Sequence, residues 1–211
     1  MWACNNEGED ARLYEAVKGC SDFAIELGIN IPTGKDSLSM KQKYPNGENV
    51  IAPGTVIISA AGNCTDINKV VEPVLNKEAG SIYYINLSQD TFKLGGSSFA
   101  QILNKIGNEV PTIKDGAYFK KAFNAIQNAI NTNLIEAGHD IGSGGLVTTL
   151  LEMTFADVNL GANYDLTALN EADTVKALFN ENIAVVLQAK EDAAFEKAFA
   201  EAGIEAVKIG T

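Results

Sequence analysis

The chain has 211 residues, 46% hydrophobic and 20% charged, enough for one large domain or two small ones and too apolar for a disordered chain. Sixteen Lys and Arg stand against 27 Asp and Glu, and the formal charge of −11 excludes nucleic acid and an anionic membrane surface as general partners. No apolar run approaches the roughly 18 residues of a membrane span. Cys4, Cys20 and Cys64 are too few and too scattered for a disulfide scaffold or a zinc site, which points to a reducing cytoplasm.

From Asp10 onward Leu13, Val17, Cys20, Ala24 and Leu27 keep helical spacing. Glu9 and Asp10 suit the start of that helix and Gly28 its end. A strand is expected at Ile29-Asn30-Ile31, stopped by Pro32. The next segment, Thr33 to Lys41, is chemically loaded. Lys35 can meet a phosphate as a point charge, Asp36 can hold a metal, and the Ser37 and Ser39 hydroxyls can donate to phosphate oxygens. Only Gly34 precedes the lysine, so this is not a Walker A loop. A polar hairpin strand with solvated charges explains the same residues.

Asn46-Gly47 centres a turn. The β-branched residues of 50–53 and 54–62 predict a long buried strand. A change of character at Gly62-Asn63-Cys64 places a boundary there, giving domains 1–62 and 63–211. Ser81 to Leu87 reads as a central strand. Leu94-Gly95-Gly96-Ser97-Ser98 then opens a helix, either as an anion cradle or as a close turn capped by Ser97 or Ser98.

Tyr118 to Leu134 carries Phe119, Ala122, Phe123, Ile126, Ala129 and Ile130 on one face, an amphipathic core helix. His139-Asp140-Ile141-Gly142-Ser143-Gly144-Gly145-Leu146 follows, with the only histidine and three glycines within four positions. A Gly-rich turn feeding a helix leaves backbone N–H groups free for an anion, favoured by the helix dipole. Asp140 would repel phosphate unless a divalent cation lay between them, so the stretch reads as a metal–phosphate site. It also reads as a plain helix entry capped by Asp140. A buried helix is expected from Leu146 to Ala156, a short strand at 163–166, a strand from Ile183 to Gln188, a helix from Glu191 to Ala202 and a last strand at 206–209. This order predicts an α/β fold with helices layered on a mixed sheet.

Taken together, the loaded segments resemble the phosphoribosylformylglycinamidine synthase family in its large, multidomain form. The resemblance rests on Trp2 with Gly8 to Val17, on Gly34-Lys35-Asp36-Ser37-Leu38-Ser39-Met40-Lys41, on Leu94 to Gln101, on His139-Asp140 with Gly144-Gly145-Leu146, and on Leu178-Phe179-Asn180-Glu181. It departs from the family at one place: Gly142-Ser143 stands where the pattern has Ser-Asp, so the hydroxyl is displaced by one position.

The resemblance implies an aminoimidazole-ribonucleotide-synthetase-like fold, with 1–62 the C-terminal part of a truncated A-type domain and 63–211 a B-type domain. It implies a glutamine-dependent carbon–nitrogen ligase that converts formylglycinamide ribonucleotide to formylglycinamidine ribonucleotide in purine biosynthesis, using ATP (or holding a structural ADP) and Mg2+. Carried over by motif, Gly34, Lys35, Asp36, Ser37 and Ser39 would bind substrate or phosphate, Gly142, Ser143 and Gly144 would bind nucleotide, and Asp140 and Asp36 would bind metal. The partners implied are the substrate, the nucleotide and the rest of the parent enzyme, including a first A–B pair and a glutaminase domain. The piece alone is expected to be inactive, with an exposed apolar edge in residues 1–60 where A-domain strands are missing. The alternatives are a kinase-type or maturation-type member of the same superfamily, or a non-catalytic nucleotide-binding or interaction module.

Overall fold

The computed structural model describes residues 1–211, which form two compact units, Met1–Cys64 and Thr65–Thr211.

In the first unit helix α1 runs Glu9–Leu27, with Glu9 and Asp10 in its first turn and Gly28 closing it in the left-handed conformation. None of its residues is fully buried; along the apolar stripe read from its spacing Leu13, Cys20, Ala24 and Leu27 are half-buried and Val17 is exposed. Trp2 is the organising side chain, 5% exposed. Its backbone takes part in pairing with the 37–40 segment, Trp2 N–H donating to Ser37 O at 2.7 Å and Met40 N–H to Trp2 O at 3.3 Å. A Cβ on Gly54 would lie 2.4 Å from the Trp2 ring, so only glycine lets the chain pass there. Strands β1 (Lys41–Lys43) and β2 (Asn49–Ile51) make a small antiparallel hairpin around the expected turn, where Gly47 has φ of 85°.

Two expectations fail in this unit. Residues 29–31 form no strand, and the long buried strand of 50–62 reduces to β2, with Val56, Ile57 and Ile58 exposed. A β-branched run becomes a buried strand only when neighbouring strands pair with it and an apolar layer covers it; β2 pairs with β1, but residues 56–62 make no backbone ladder and stay exposed.

The second unit is a four-stranded sheet in the order β4 (Ile135–Asp140), β5 (Ala184–Ala189), β3 (Ile82–Asn86), β6 (Val207–Gly210). All of its ladders are antiparallel, so the sheet is antiparallel where a mixed one was expected; the one parallel contact is an isolated bridge from Glu72 to Ala137 outside the strands. Side chains alternate between two cores, as a strand of period two requires. Tyr83 and Ile85 of β3 and Leu187 and Ala189 of β5 face helices α3 (Gly116–Asn131) and α6 (Asp192–Glu201). Ile82, Tyr84, Ala184 and Val186 face the opposite way, onto α4 (Gly145–Glu152). Ile135 joins the first core and Ala137 the second, although both are odd-numbered, because a register shift between them turns the strand over.

The second unit thus has the predicted layered α/β architecture, with β3 central. Ser97 caps the short α2 (Ser98–Ile102) by accepting from Ala100 N–H, and Asp115 caps α3. Leu134 lies beyond α3, since Asn133 at φ of 60° ends it. The stretch 135–140, in which the sequence singles out only His139-Asp140 and predicts no strand, is strand β4. The helix expected to reach Ala156 ends at Glu152, and 163–166 pairs with β6 only through a bridge at Tyr164. No helix is long and apolar enough to cross a membrane.

Candidate functional site

Strand β4 delivers His139 and Asp140 to the sheet's end, paired opposite Val186 and Val185. Ile141 N–H still reaches Ala184 O at 3.0 Å, and the Thr149 hydroxyl of α4 donates to Asp140 O at 3.1 Å, so the strand end is fixed from both sides. The Asp140 carboxylate itself is 83% exposed. His139 lies between two acids, Nδ1 3.4 Å from Asp140 and Nε2 3.1 Å from Glu152. Asp140 does not cap α4. The helix is entered from Gly144, at φ of 94° and with no side-chain cap, because the chain first makes the glycine turn.

That turn is more fully bonded than its glycines suggest. Gly145 N–H returns to Gly142 O at 3.1 Å. Gly144 N–H donates to Glu181 Oε1 at 2.9 Å, and the same oxygen accepts from Ser98 N–H at 2.8 Å. The expectation of a row of free N–H groups is therefore corrected at Gly144, whose donor is taken by a carboxylate. Gly142 and Ser143 are exposed, and neither their amides nor the Ser143 hydroxyl is paired within the protein.

The loop carrying Glu181 links α5 (Thr174–Phe179) to β5 and is held from both sides. Buried Asn180 donates through Nδ2 to Lys176 O and Ala177 O, and buried Asn182 donates to Asp90 O and Thr91 O. Phe179 stacks on Phe99 at 4.7 Å. Gly145 passes so close that a Cβ there would meet Asn180 O at 2.6 Å. The glycine turns at 94–98 and 142–145 and the 178–181 loop thus form one packed assembly.

The Gly34–Ser39 segment belongs to the first unit. It is an exposed loop apart from half-buried Ser37, and it borders a groove of about 540 Å³ lined also by Ile25, Ile29 and Ile57. The Lys35 ammonium turns back on its own loop, donating to Asp36 O and, at 3.1 Å, to Ser37 Oγ. The Asp36 carboxylate accepts nothing from the protein, and Ser39 is bridged to Ala3.

Sequence reasoning missed the parts played by Glu181, Glu152 and the buried Asn182. The motif Leu178 to Glu181 was the available signal, but a carboxylate that bonds amides 83 and 37 residues away leaves no local pattern.

No group of three or more acidic, histidine or cysteine side chains is arranged to hold a metal. Asp140 offers an exposed carboxylate two residues before the unpaired Gly142 and Ser143 amides. That fits magnesium as a partial shell, one carboxylate completed by phosphate oxygens and water, rather than as a preformed cage.

Comparison with known proteins gives this arrangement a family. Residues 82–211 match the pattern described as AIR synthase related protein, C-terminal domain. The chain belongs to this AIR synthase related family. Residues 1–63 match a second pattern, FGAR-AT PurM_N-like domain. The chain is 44% identical over 202 residues to a probable phosphoribosylformylglycinamidine synthase, chloroplastic/mitochondrial, of Arabidopsis thaliana, covering 93% of the chain and 14% of that protein. Its identity to the probable enzyme of Caenorhabditis elegans is 37%, over all of the chain and 17% of that protein. With the enzyme of Dictyostelium discoideum it shares 38%, over 90% of the chain and 15% of that protein. The chain therefore spans about one seventh to one sixth of the length of these curated relatives.

Among solved structures, Thermotoga maritima PurLQS aligns over 99% of the chain and 32% of the other, at 15% identity and a TM-score of 0.61. T. maritima PurL complexed with FGAR aligns over 99% of the chain and 34% of the other, at 14% identity and the same score. At such identity these neighbours establish the AIR-synthetase-like fold.

Proposed function

We propose that the chain is part of a phosphoribosylformylglycinamidine synthase, contributing an A-type segment and a B-type domain to the ATP- and glutamine-dependent amidation of formylglycinamide ribonucleotide. The observation that carries this is the exposed Asp140 carboxylate two residues before the unpaired Gly142 and Ser143 amides, at the end of a strand fixed by Thr149 and Ala184. The names of the relatives and the order of the five motifs support it.

In this reading Gly142, Ser143 and Gly144 form the backbone wall against a nucleotide phosphate, with the Ser143 hydroxyl as a further donor. Asp140 would hold magnesium, which when bound neutralises phosphate charge and orients the phosphoryl group. Within the first unit, Gly34, Lys35 and the Ser37 and Ser39 hydroxyls would bind phosphate or substrate, and Asp36 would hold metal. Such chemistry is largely positioning and charge compensation. The remaining synthetase domains and a glutaminase that supplies ammonia would come from the rest of the parent enzyme. Three free cysteines fit a reducing compartment, and we assign the chain to the cytoplasm.

Isothermal titration of the 211-residue chain with Mg·ATP tests the site. Weak binding that requires magnesium and falls at least tenfold in Asp140→Asn is expected. Tight magnesium binding without nucleotide, unchanged in that variant, would overturn the assignment.

A further inference from the structure

The carboxylate of Glu181 occupies the place an anion would take. Its Oε1 accepts from Ser98 N–H at 2.8 Å and from Gly144 N–H at 2.9 Å, donors on two glycine turns remote in sequence that converge on one oxygen. The side chain is not there by default. Its neighbours Asn180 and Asn182 are buried and bonded to backbone carbonyls on both sides, and the Phe99–Phe179 stack and the Gly145 contact close the assembly. The result is a fixed negative group at the wall of the proposed phosphate site.

Its consequence for ligand choice follows from charge. A bare phosphate approaching Gly142–Gly144 finds the Gly144 amide already taken by the Glu181 carboxylate, with the exposed Asp140 carboxylate two residues before the turn. Like charges disfavour it. A cation at Asp140 reverses that balance. Resting on the nucleotide reading above, we propose that Glu181 is the positioning residue of this site: it ties the two glycine turns together and makes phosphate capture depend on a divalent cation.

The test uses the 211-residue chain, with inorganic pyrophosphate in chelator and Mg·ATP as probes in calorimetry. The parent chain should bind Mg·ATP and bind metal-free pyrophosphate only weakly, at an affinity fixed by titration at high ligand concentration. Glu181→Ala frees both amides and removes the charge, so metal-free pyrophosphate affinity should rise at least tenfold. Glu181→Gln keeps an oxygen for the amides but drops the charge, and a smaller rise, several-fold, is expected. A merely structural role would produce no gain in either variant. Folded Glu181→Ala with unchanged metal-free binding overturns the proposal; if that variant does not fold, an unchanged Glu181→Gln does so. The arm with Asp140→Asn separates the two readings. Mg·ATP binding insensitive to that substitution sinks the metal assignment, while a metal-free gain on losing Glu181 stands without it.

Discussion

Asp90 Oδ2 accepts from the Lys93 ammonium at 2.8 Å, and the carboxylate that does so is only 2% exposed. It also accepts from Thr112 N–H and Thr91 N–H, and Lys114 lies 3.5 Å away. The group therefore pins the 90–93 turn to the 112–114 segment, and its backbone carbonyl receives Asn182 from the Glu181 loop.

Burial works against the charge on Asp90, but the Lys93 bond, the Thr112 and Thr91 amides and the Lys114 charge together outweigh it and hold the carboxyl below its usual range. A depressed folded-state pKa stabilises the fold above the unfolded value near 3.9, and the contribution is lost as pH falls through the folded value. Urea midpoints should therefore decline on acidification below about pH 4, and Asp90→Asn should flatten that decline. Asp90→Ala leaves a buried network unpaired and should cost about 3 kcal/mol at neutral pH. An unchanged midpoint in Asp90→Ala would show that the network contributes nothing.

Gly145 is held at φ of 77°, and its absent Cβ would sit 2.6 Å from Asn180 O and from the Phe179 carbonyl carbon. Gly145→Ala combines left-handed strain with overpacking against backbone, about 3 kcal/mol together. Gly142 has open space around it, so Gly142→Ala should change stability by less than about 0.5 kcal/mol. Thermal melts of the pair check the contrast. Equal effects would mean that the close approach of the 178–181 loop is not rigid.

Where pattern and packing coincide, the fold was legible in the sequence. The helix α3, the strand β3 and the helix α6 carry apolar residues at the period of their own structure and bury them against one another. Strand β4 was hidden because 135–138 carries no strand pattern and His139-Asp140 read as part of the glycine-rich turn; its strand character comes from pairing with β5 across a bulge. The candidate residues Asp140, Gly142, Ser143 and Gly144 stood out through unusual residue types. Glu181 stood out only as a member of the Leu178 to Glu181 motif, which carries no trace of its task of bonding two backbone amides, since any Glu in a polar loop looks the same in sequence.

The 56–64 segment gives a prediction opposite to its composition. None of its amides finds a backbone acceptor, and Ile57 is 71% exposed. Hydrogen exchange of the chain should show these amides near the unprotected rate, while Trp2, Cys4 and Met40, which donate to backbone oxygens, are slowed. Protection across 56–64 would mean that the segment pairs after all. Its exposed apolar side chains would also favour self-association, so exchange should be compared at two protein concentrations.

Lys35 and Asp36 provide the test of the first unit. Both are exposed, and the Lys35 ammonium bonds only to its own loop, so neither holds the core together. Substituting an exposed loop residue usually changes stability by less than about 0.5 kcal/mol. Losing a preorganised charge contact at a phosphate costs on the order of 3 kcal/mol in the transition state, about a hundredfold in rate. In a full-length synthase carrying this segment, Lys35→Ala and Asp36→Asn should therefore lower ammonia-dependent turnover by about that factor. Melting temperature and glutaminase activity should stay near those of the parent. Ammonia bypasses the glutaminase, so the assay reads the synthetase chemistry alone. Full ammonia-dependent turnover in both variants at saturating ATP would make the Gly34–Ser39 loop a solvated turn with no part in phosphate binding.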